Sequence, residues 1–300
     1  MSGPRIEPLR FLIVTADDFG LSAAVNLGVE RAAHAGVLTA ASLMVGAPAA
    51  ADAVRRAREL QGLSVGLHLV LADGWSVLPP STIPALVDAQ GRFGNSMVRD
   101  GVRFFALPAV RRQLEAEIRA QFQAFAATEL PLDHVNAHKH FHLHPTLLEM
   151  LLRIGGEFGM PAVRLPREPA WAARRVGGAL AGPAVTGLLS PWLALMRRRL
   201  RTAHIAHNDY VFGMSDSGSM DEPRLLEILG RLPEGITEIY LHPAVESGAA
   251  ISPAMGGYRH ADELAALTSP KVRAAVSACG AATGGFRRLL AAGREERRAA

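Results

Sequence analysis

The stretch Thr15-Ala16-Asp17-Asp18-Phe19-Gly20 places two adjacent carboxylates directly after the apolar run Phe11-Leu12-Ile13-Val14. A continuous apolar run of this kind predicts a strand that is buried on both faces. Ser22 then opens an Ala-rich helical pattern as its N-cap, and Gly36 ends that pattern. The aspartates therefore lie in a strand-to-helix turn, where α/β folds bind their ligands. One aspartate there is usually a helix cap, but two predict a functional site.

Apolar strand-like runs alternate with helical patterns along the whole chain. The predicted strands are Leu12–Ala16, Ala41–Val45, Ser64–Leu69, Asp133–Ala137, Ala162–Leu165, His204–Ala206 and Thr237–Leu241. Helices are predicted near residues 25–34, 50–60 and 110–126, and from Pro145 onward. This alternation predicts an α/β fold with a parallel sheet. The number of units favours a distorted or incomplete (β/α) barrel over an open sheet.

We expect residues 1–300 to form a single catalytic domain, because neither a repeat nor a linker interrupts the pattern. Two insertions are predicted. Residues 73–102 are rich in Gly, Pro and polar residues, which predicts a functional loop or lid. Residues 167–201 carry apolar residues at helical spacing beside arginines. That pattern predicts a helix that packs on the barrel, or one that touches a membrane or a lipid-linked substrate.

The composition is that of an ordinary globular protein, with 49% hydrophobic and 20% charged residues. The net charge of +4 comes from arginines without interleaved aromatic residues, so we expect no nucleic-acid binding. A signal-peptide pattern and a membrane-spanning run are both lacking, so we expect a cytoplasmic protein. The single cysteine, Cys279, excludes an internal disulfide and a Cys-based zinc site.

Histidines follow three of the later predicted strands. His68 ends the strand Ser64–Leu69, and His242 follows the strand Thr237–Leu241. Alternate positions after the strand Asp133–Ala137 are all histidine, at His138, His140, His142 and His144. If this run stayed extended, the four imidazoles would point the same way. A small metal takes two or three of them, so the others would bind substrate or orient the ligands.

These groups suit metal-assisted hydrolysis. One carboxylate and two imidazoles form a facial ligand set with open positions. A metal held in this way lowers the pKa of a bound water towards ~7 and polarises a carbonyl. A second carboxylate can take a proton from the water, and a histidine opposite can protonate a leaving amine. The set comprises Asp17, Asp18, His68, His138 and His242, and it predicts hydrolysis of an amide or ester.

Three motifs carry a family resemblance: Asp17–Gly20, Gly66–Leu69 and the alternating His138–His142. They occur in this order in the YdjC-like (chitooligosaccharide deacetylase) family, which the chain resembles from Phe11 to about Arg288. The resemblance implies a polysaccharide-deacetylase-like barrel that removes acetyl groups from N-acetylated sugars with a divalent metal. Residues 15–48 and 65–74 are similar to the hopanoid biosynthesis-associated branch. That likeness implies an N-acetylglucosaminyl hopanoid lipid as substrate, and contact with the inner face of the membrane.

The resemblance also implies a role for each candidate residue. Asp18, His68 and His138 would hold the metal, Asp17 would be the general base and His242 the general acid.

Further polar residues are expected to support the ligands or bind substrate: Arg164, His140, His142 and Asn136. Arg164 would steady the base or bind substrate. Asn136 stands where many family members have Asp, and an amide keeps a hydrogen bond to a ligand without adding charge. The metal is expected to be zinc, which imidazole ligands favour, or magnesium, which the family precedent includes.

Other functions remain open. The protein could deacetylate soluble chitooligosaccharides, or bind a sugar-lipid without catalysis. A phosphoesterase is disfavoured, because neither a glycine-rich phosphate loop nor a dense carboxylate cluster is evident. The sequence leaves the oligomeric state open.

Overall fold

The computed structural model describes residues 10–172, 183–247 and 251–290, with parallel strands at the centre and helices outside. The strands are β1 (Arg10–Phe19), β2 (Ala40–Leu43), β3 (Ser64–Leu69), β4 (Leu132–Ala137), β5 (Tyr210–Phe212), β6 (Gly235–Leu241) and β7 (Ala282–Thr283). The helices are α1 (Ala23–Ala35), α2 (Ala50–Glu59), α3 (Met97–Ala106), α4 (Pro108–Ala126), α5 (Pro145–Glu157), α6 (Pro183–Thr202), α7 (Glu222–Leu229), α8 (His260–Thr268) and α9 (Pro270–Ala278).

One parallel sheet runs in the order β4-β3-β2-β1-β6-β5, and β7 also pairs with β1. The central strand β1 is almost fully buried from Leu12 to Phe19, as its continuous apolar run predicts. Isolated parallel bridges join Val135 to Val163 and Ala162 to Ala206, so the pairing continues beyond β4. The sheet therefore curls into the predicted distorted barrel, with the carboxyl ends of its strands at one mouth.

Several predicted elements are confirmed to within a few residues, including the helices α1, α2, α4 and α5. The Ser22 hydroxyl caps α1 by accepting a hydrogen bond from the backbone N–H of Val25, and Gly36 follows the last residue of this helix.

The predicted strands Ala162–Leu165 and His204–Ala206 are wrong as strands, since they form bridges rather than ladders. Backbone hydrogen bonds still link the first segment to its neighbours, since Arg164 N–H donates to Val135 and Val163 N–H donates to Ala206. At Leu165 the pairing passes to Asn208, whose side chain accepts from the backbone N–H of Leu165 and donates to its carbonyl oxygen.

The first insertion is anchored to the barrel wall. Glu117 of α4 is buried and accepts hydrogen bonds from the backbone N–H groups of Val77 and Leu78, at 2.8 and 3.0 Å. The insertion ends in α3, which the sequence analysis missed. The reason is that its buried face consists of Asp100, Gly101 and Phe104, so the sequence lacks the ordinary apolar stripe.

The second insertion contains α6, which begins before the predicted segment around Trp192. Residues 173–182 of this insertion lie outside the described residues. Leu193, Met196 and Leu200 are buried, so the apolar stripe of α6 packs on the barrel. Among the described residues, no helix combines the length and hydropathy needed to cross a membrane.

Replacing Glu117 with alanine should loosen the anchored loop. The change leaves two backbone N–H groups without their acceptor, and we expect a loss of about 2–3 kcal/mol in the free energy of unfolding. Urea denaturation measures this loss. Glu115→Ala is the matched control, because it removes the same charge from a more exposed side chain on the same helix and should cost under about 0.5 kcal/mol. Equal losses in the two variants would contradict the anchoring role.

Candidate active site

Two adjacent aspartates reach the barrel mouth because the end of β1 is irregular. Side chains that follow each other in a regular strand point to opposite faces. Here the pairing of β1 with β2 shifts register between Ala16 and Phe19, and Asp18 has a φ of 63°. Aspartate tolerates this left-handed conformation better than most residues. The turn therefore brings the carboxylates of Asp17 and Asp18 into one network of polar side chains.

Asp18, His68 and His138 meet at the carboxyl ends of β1, β3 and β4. The Asp18 Oδ1 atom lies 3.2 Å from His68 Nε2 and 3.1 Å from His138 Nδ1. Ligand atoms from the three residues all lie within 4.8 Å of one another, and all three residues are buried. One carboxylate and two imidazoles thus share a space the size of one coordination sphere.

The polar atoms of this cluster fit a cation. Within the described part of the chain, both carboxylate oxygens of Asp18 and the Nε2 atom of His68 are buried without a hydrogen-bond partner. Leaving such atoms unpaired costs free energy, and buried polar groups normally find partners. A divalent cation would satisfy all three atoms, and this mixed oxygen and nitrogen set is one that zinc or magnesium accepts.

Asn136 sets the orientation of His68. Its side-chain oxygen accepts a hydrogen bond from His68 Nδ1 at 2.6 Å, so the lone pair of Nε2 points towards Asp18. Its amide nitrogen donates to Asp17 Oδ1 at 3.2 Å and to Ser42 Oγ at 2.9 Å. An amide supplies both the acceptor and the donors, whereas an ionised aspartate has no donor for Asp17.

Asp17 lies beside the cluster in a buried ion pair. The guanidinium of Arg164 donates to both of its oxygens, at 2.5 and 2.9 Å, and Arg164 is fully buried. Burial raises the pKa of Asp17, but the charge and hydrogen bonds of Arg164, together with the nearby His68 and His242, outweigh burial and hold this pKa well below its usual range. Asp17 is therefore ionised at neutral pH, as a proton acceptor must be.

Glu238 of β6 holds the other side of Arg164. It accepts from Arg164 Nε at 3.0 Å and Nη2 at 2.8 Å, and from the Thr15 hydroxyl at 2.8 Å. Two carboxylates therefore fix the plane of the guanidinium. The sequence analysis missed Glu238, although a charged residue inside an apolar strand was an available signal.

The alternating histidines do not share one face, because the chain does not stay extended after β4. The residues His138–Leu143 form a 3₁₀ turn, and the two residues after His138 have φ values of 54° and 55°. His140 Nε2 lies 2.9 Å from the hydroxyl of Tyr240. His142 is buried and its Nε2 donates to the backbone oxygen of Arg164 at 2.9 Å. His142 therefore supports the position of Arg164 from beneath the site.

His242 reaches the cluster from the end of β6. Its Nε2 atom lies 3.9 Å from Asp18 Oδ2, and its Nδ1 atom lies 4.0 Å from Oε2 of Glu263 on α8. The Glu263 carboxylate also accepts the backbone N–H groups of His242 and Met220. Burial lowers the pKa of His242 and raises the pKa of Glu263 to about 7. Sequence analysis missed Glu263, since a glutamate in a helical pattern is usually solvated.

A small cavity of about 30 Å³ opens beside His138. Its lining combines the apolar side chains of Leu21, Met44, Trp75 and Met255 with the polar side chains of Asp73, Arg92 and Ser252.

The chain matches a protein-family model along most of its length. A family model described as YdjC-like protein matches residues 11–278. The chain belongs to the YdjC-like family. A carbohydrate deacetylase of Geobacillus stearothermophilus is 30% identical over 263 residues, which cover 87% of this chain and 90% of that relative.

A second relative has a higher sequence identity, but over a shorter stretch of the chain. A carbohydrate deacetylase of Brevibacillus brevis is 41% identical over 155 residues, which cover 52% of this chain and 59% of that relative. Among solved structures, a protein of Enterococcus faecalis V583 for which cellobiose-phosphate cleavage has been suggested has a TM-score of 0.72 at 23% identity. The match covers 94% of this chain and 99% of that structure, so the two share a fold.

The raised pKa of Glu263 predicts a pH-dependent stability for this YdjC-like protein. Between its usual value of 4.5 and about 7, the unfolded chain loses the Glu263 proton while the folded chain keeps it. The folded state then binds more protons, so this group lowers the free energy of unfolding as pH rises through that window, by up to about 3 kcal/mol. Glu263→Gln should remove this part of the slope in urea denaturation across the window. Glu149→Gln, at an exposed position of α5, should leave the slope unchanged, and an unchanged slope in both variants would contradict the prediction.

Proposed function

We propose that this YdjC-like protein is a metal-dependent deacetylase that removes the N-acetyl group from an N-acetylglucosaminyl lipid, a glycosylated hopanoid. The general activity, that of a carbohydrate deacetylase, follows from the family and from the names of two relatives. The observation that carries the metal dependence is the convergence of Asp18, His68 and His138 with buried polar atoms that lack hydrogen bonds.

These three residues would hold a divalent cation at the mouth of the barrel. Such an ion, when bound, supplies a Lewis acid that polarises the acetyl carbonyl and lowers the pKa of a water molecule. The cavity beside His138 adjoins the candidate metal site and would receive the acetyl group.

Asp17 would take the proton of the attacking water. Its two oxygens accept three hydrogen bonds from Arg164 and Asn136, and a carboxylate has room for four. One lone-pair position therefore remains for the proton. The ion pair with Arg164 keeps Asp17 ionised before the reaction and holds its carboxylate in one orientation.

His242 would return a proton to the leaving amine. Burial lowers the pKa of this imidazole, so the ring alone is neutral at rest and needs a proton source. Glu263 is the candidate source, because burial raises its pKa to about 7 and its Oε2 atom lies 4.0 Å from Nδ1 of the ring. This separation exceeds a hydrogen bond, so the proton would pass to Nδ1 when the ring approaches the carboxyl, while Nε2 gives its proton to the amine.

The lipid part of the proposal rests on the resemblance to the hopanoid-associated branch and on the surface of α6. Leu188 and Leu195 of this helix are 81% and 43% exposed. Trp192 of the same helix donates a hydrogen bond to the backbone oxygen of Leu143, in the loop that carries His138. A cavity of about 960 Å³ lies between α6 and residues 165–170, and it is lined by Leu193 and several arginines. This setting suits an apolar aglycone near the site.

Asp17→Asn separates metal binding from turnover. The amide keeps the size of the side chain but cannot accept the proton, so we expect acetate release to fall by a factor of about a hundred or more. Zinc or magnesium content, measured by elemental analysis, should equal that of the wild type. Asp18→Asn is the counterpart and should lose the metal. If the Asp17 variant lost the metal and the Asp18 variant kept it, the roles of the two carboxylates would be exchanged.

A substrate comparison tests the lipid. Acetate release should be faster by roughly tenfold or more with an N-acetylglucosaminyl hopanoid than with soluble chitooligosaccharides, because apolar contacts add binding energy. A chelator should abolish both activities, and added zinc or magnesium should restore them. Preference for the soluble sugar would contradict the lipid substrate alone. If the substrate raised the melting temperature but acetate was released with none of the divalent metals, the result would contradict an enzyme and indicate a binding protein.

A further inference from the structure

The turn between α3 and α4 carries an apolar surface. We call residues 97–112 the α3–α4 corner. Its most exposed apolar side chains are Val98 (83%), Phe105 (65%), Val102 (63%) and Leu107 (45%). The run of apolar residues from 105 to 109 is exposed throughout. Contiguous exposed apolar surface of this kind marks an interaction site.

The inward face of α3 packs against the loop that begins with His138. Phe104 is buried, and its ring centroid lies 5.3 Å from that of Phe141 and 6.4 Å from that of His144. Gly101 approaches His144 so closely that a Cβ at this position would lie 3.3 Å from its Cδ2 atom. The helix is thus held on one side, and its apolar outer side is a feature of the folded protein.

Arginines accompany the apolar surface. Arg99 is 63% exposed, Arg112 is exposed, and Arg103 and Arg111 are partly buried. The acidic residue of the corner, Asp100, is buried and paired with Arg99 and Arg103. The corner therefore combines exposed apolar side chains with a net positive charge, a composition that suits the interface of an anionic lipid bilayer.

We propose that the α3–α4 corner docks this protein on the surface of an anionic membrane, with Val98 and Phe105 inserted among the lipids. A second copy of the chain fits the corner less well. A two-fold contact brings the same surface of both copies together, so it would set the exposed arginines against each other. Anionic headgroups instead match their charge.

Docking has a direct consequence for the active site. The corner packs on the loop that begins with His138, so an attached bilayer would hold the mouth of the barrel close to the lipid surface. The functional reason for docking depends on the proposed glycolipid substrate. The docking itself is a property of the surface and can be measured without any substrate.

Vesicle cosedimentation of the full chain tests the proposal. We expect the wild type to sediment with phosphatidylcholine–phosphatidylglycerol vesicles and only weakly with phosphatidylcholine alone. Val98→Ser combined with Phe105→Ser should weaken binding by roughly tenfold or more, because it removes the inserting groups. Val98→Leu with Phe105→Leu, which keeps the apolar surface, should retain binding. Unchanged melting temperatures would verify that both double variants are folded.

Two charge-reversal variants provide the second comparison. Arg112→Glu should weaken binding to the anionic vesicles by about tenfold, and Arg273→Glu on α9 is the matched control with no effect. Failure of the wild type to bind, or equal binding by the serine and leucine variants, would overturn the proposal. A dimer in sedimentation velocity that the serine variant dissociates, without vesicle binding, would overturn it in favour of a second copy. Vesicle binding without acetate release would instead leave docking intact and remove the proposed function.

Discussion

The buried guanidinium of Arg164 between Asp17 and Glu238 is the interaction on which the site depends. It joins β1 to β6 through the two carboxylates, and its guanidinium also lies 4.5 Å from the ring centroid of Tyr240 on β6. Burying such charges is favourable only when each one is paired and hydrogen-bonded. Without Arg164, two carboxylates would remain unpaired inside the protein. The fold and the candidate base therefore depend on the same side chain.

Side chains complete the backbone pairing around this ion pair. The segment that carries Arg164 bonds to the backbone of Val135 and Ala206, and Asn208 takes up the hydrogen-bonding groups of the next residue, Leu165. His142 donates to the backbone oxygen of Arg164. Side-chain contacts thus add to the strand pairing at the point where the guanidinium reaches Asp17 and Glu238.

The sequence predicts the fold and part of the site, and the failures have physical causes. Buried parallel strands are continuous apolar runs, so β1, β3 and β6 are visible, and His68 is visible at the end of β3. Side chains that bond to residues far away along the chain leave no periodic signal in the sequence. Asn208 is 43 residues from Leu165, and Glu263 is 21 residues from His242. These contacts exist only after the barrel has formed.

The alternating histidines illustrate the same limit. A period of two predicts one face only if the backbone stays extended, and the left-handed φ values of the two residues after His138 kink the chain there. A pattern can name the residues at a site without fixing the direction in which each points. Here the turn separates one candidate ligand, His138, from His142, which supports Arg164 instead.

Charge balance explains why an amide at position 136 suits this site. Asp17, Asp18 and Glu238 are acidic and Arg164 is basic, so the group carries two net negative charges when the imidazoles are neutral. A divalent cation would make the group neutral. An aspartate in place of Asn136 would leave one net negative charge, which opposes the negative charge that develops on an acetyl oxygen, and it would face Asp17 at hydrogen-bond distance. The amide keeps the link to His68 without adding this unfavourable charge.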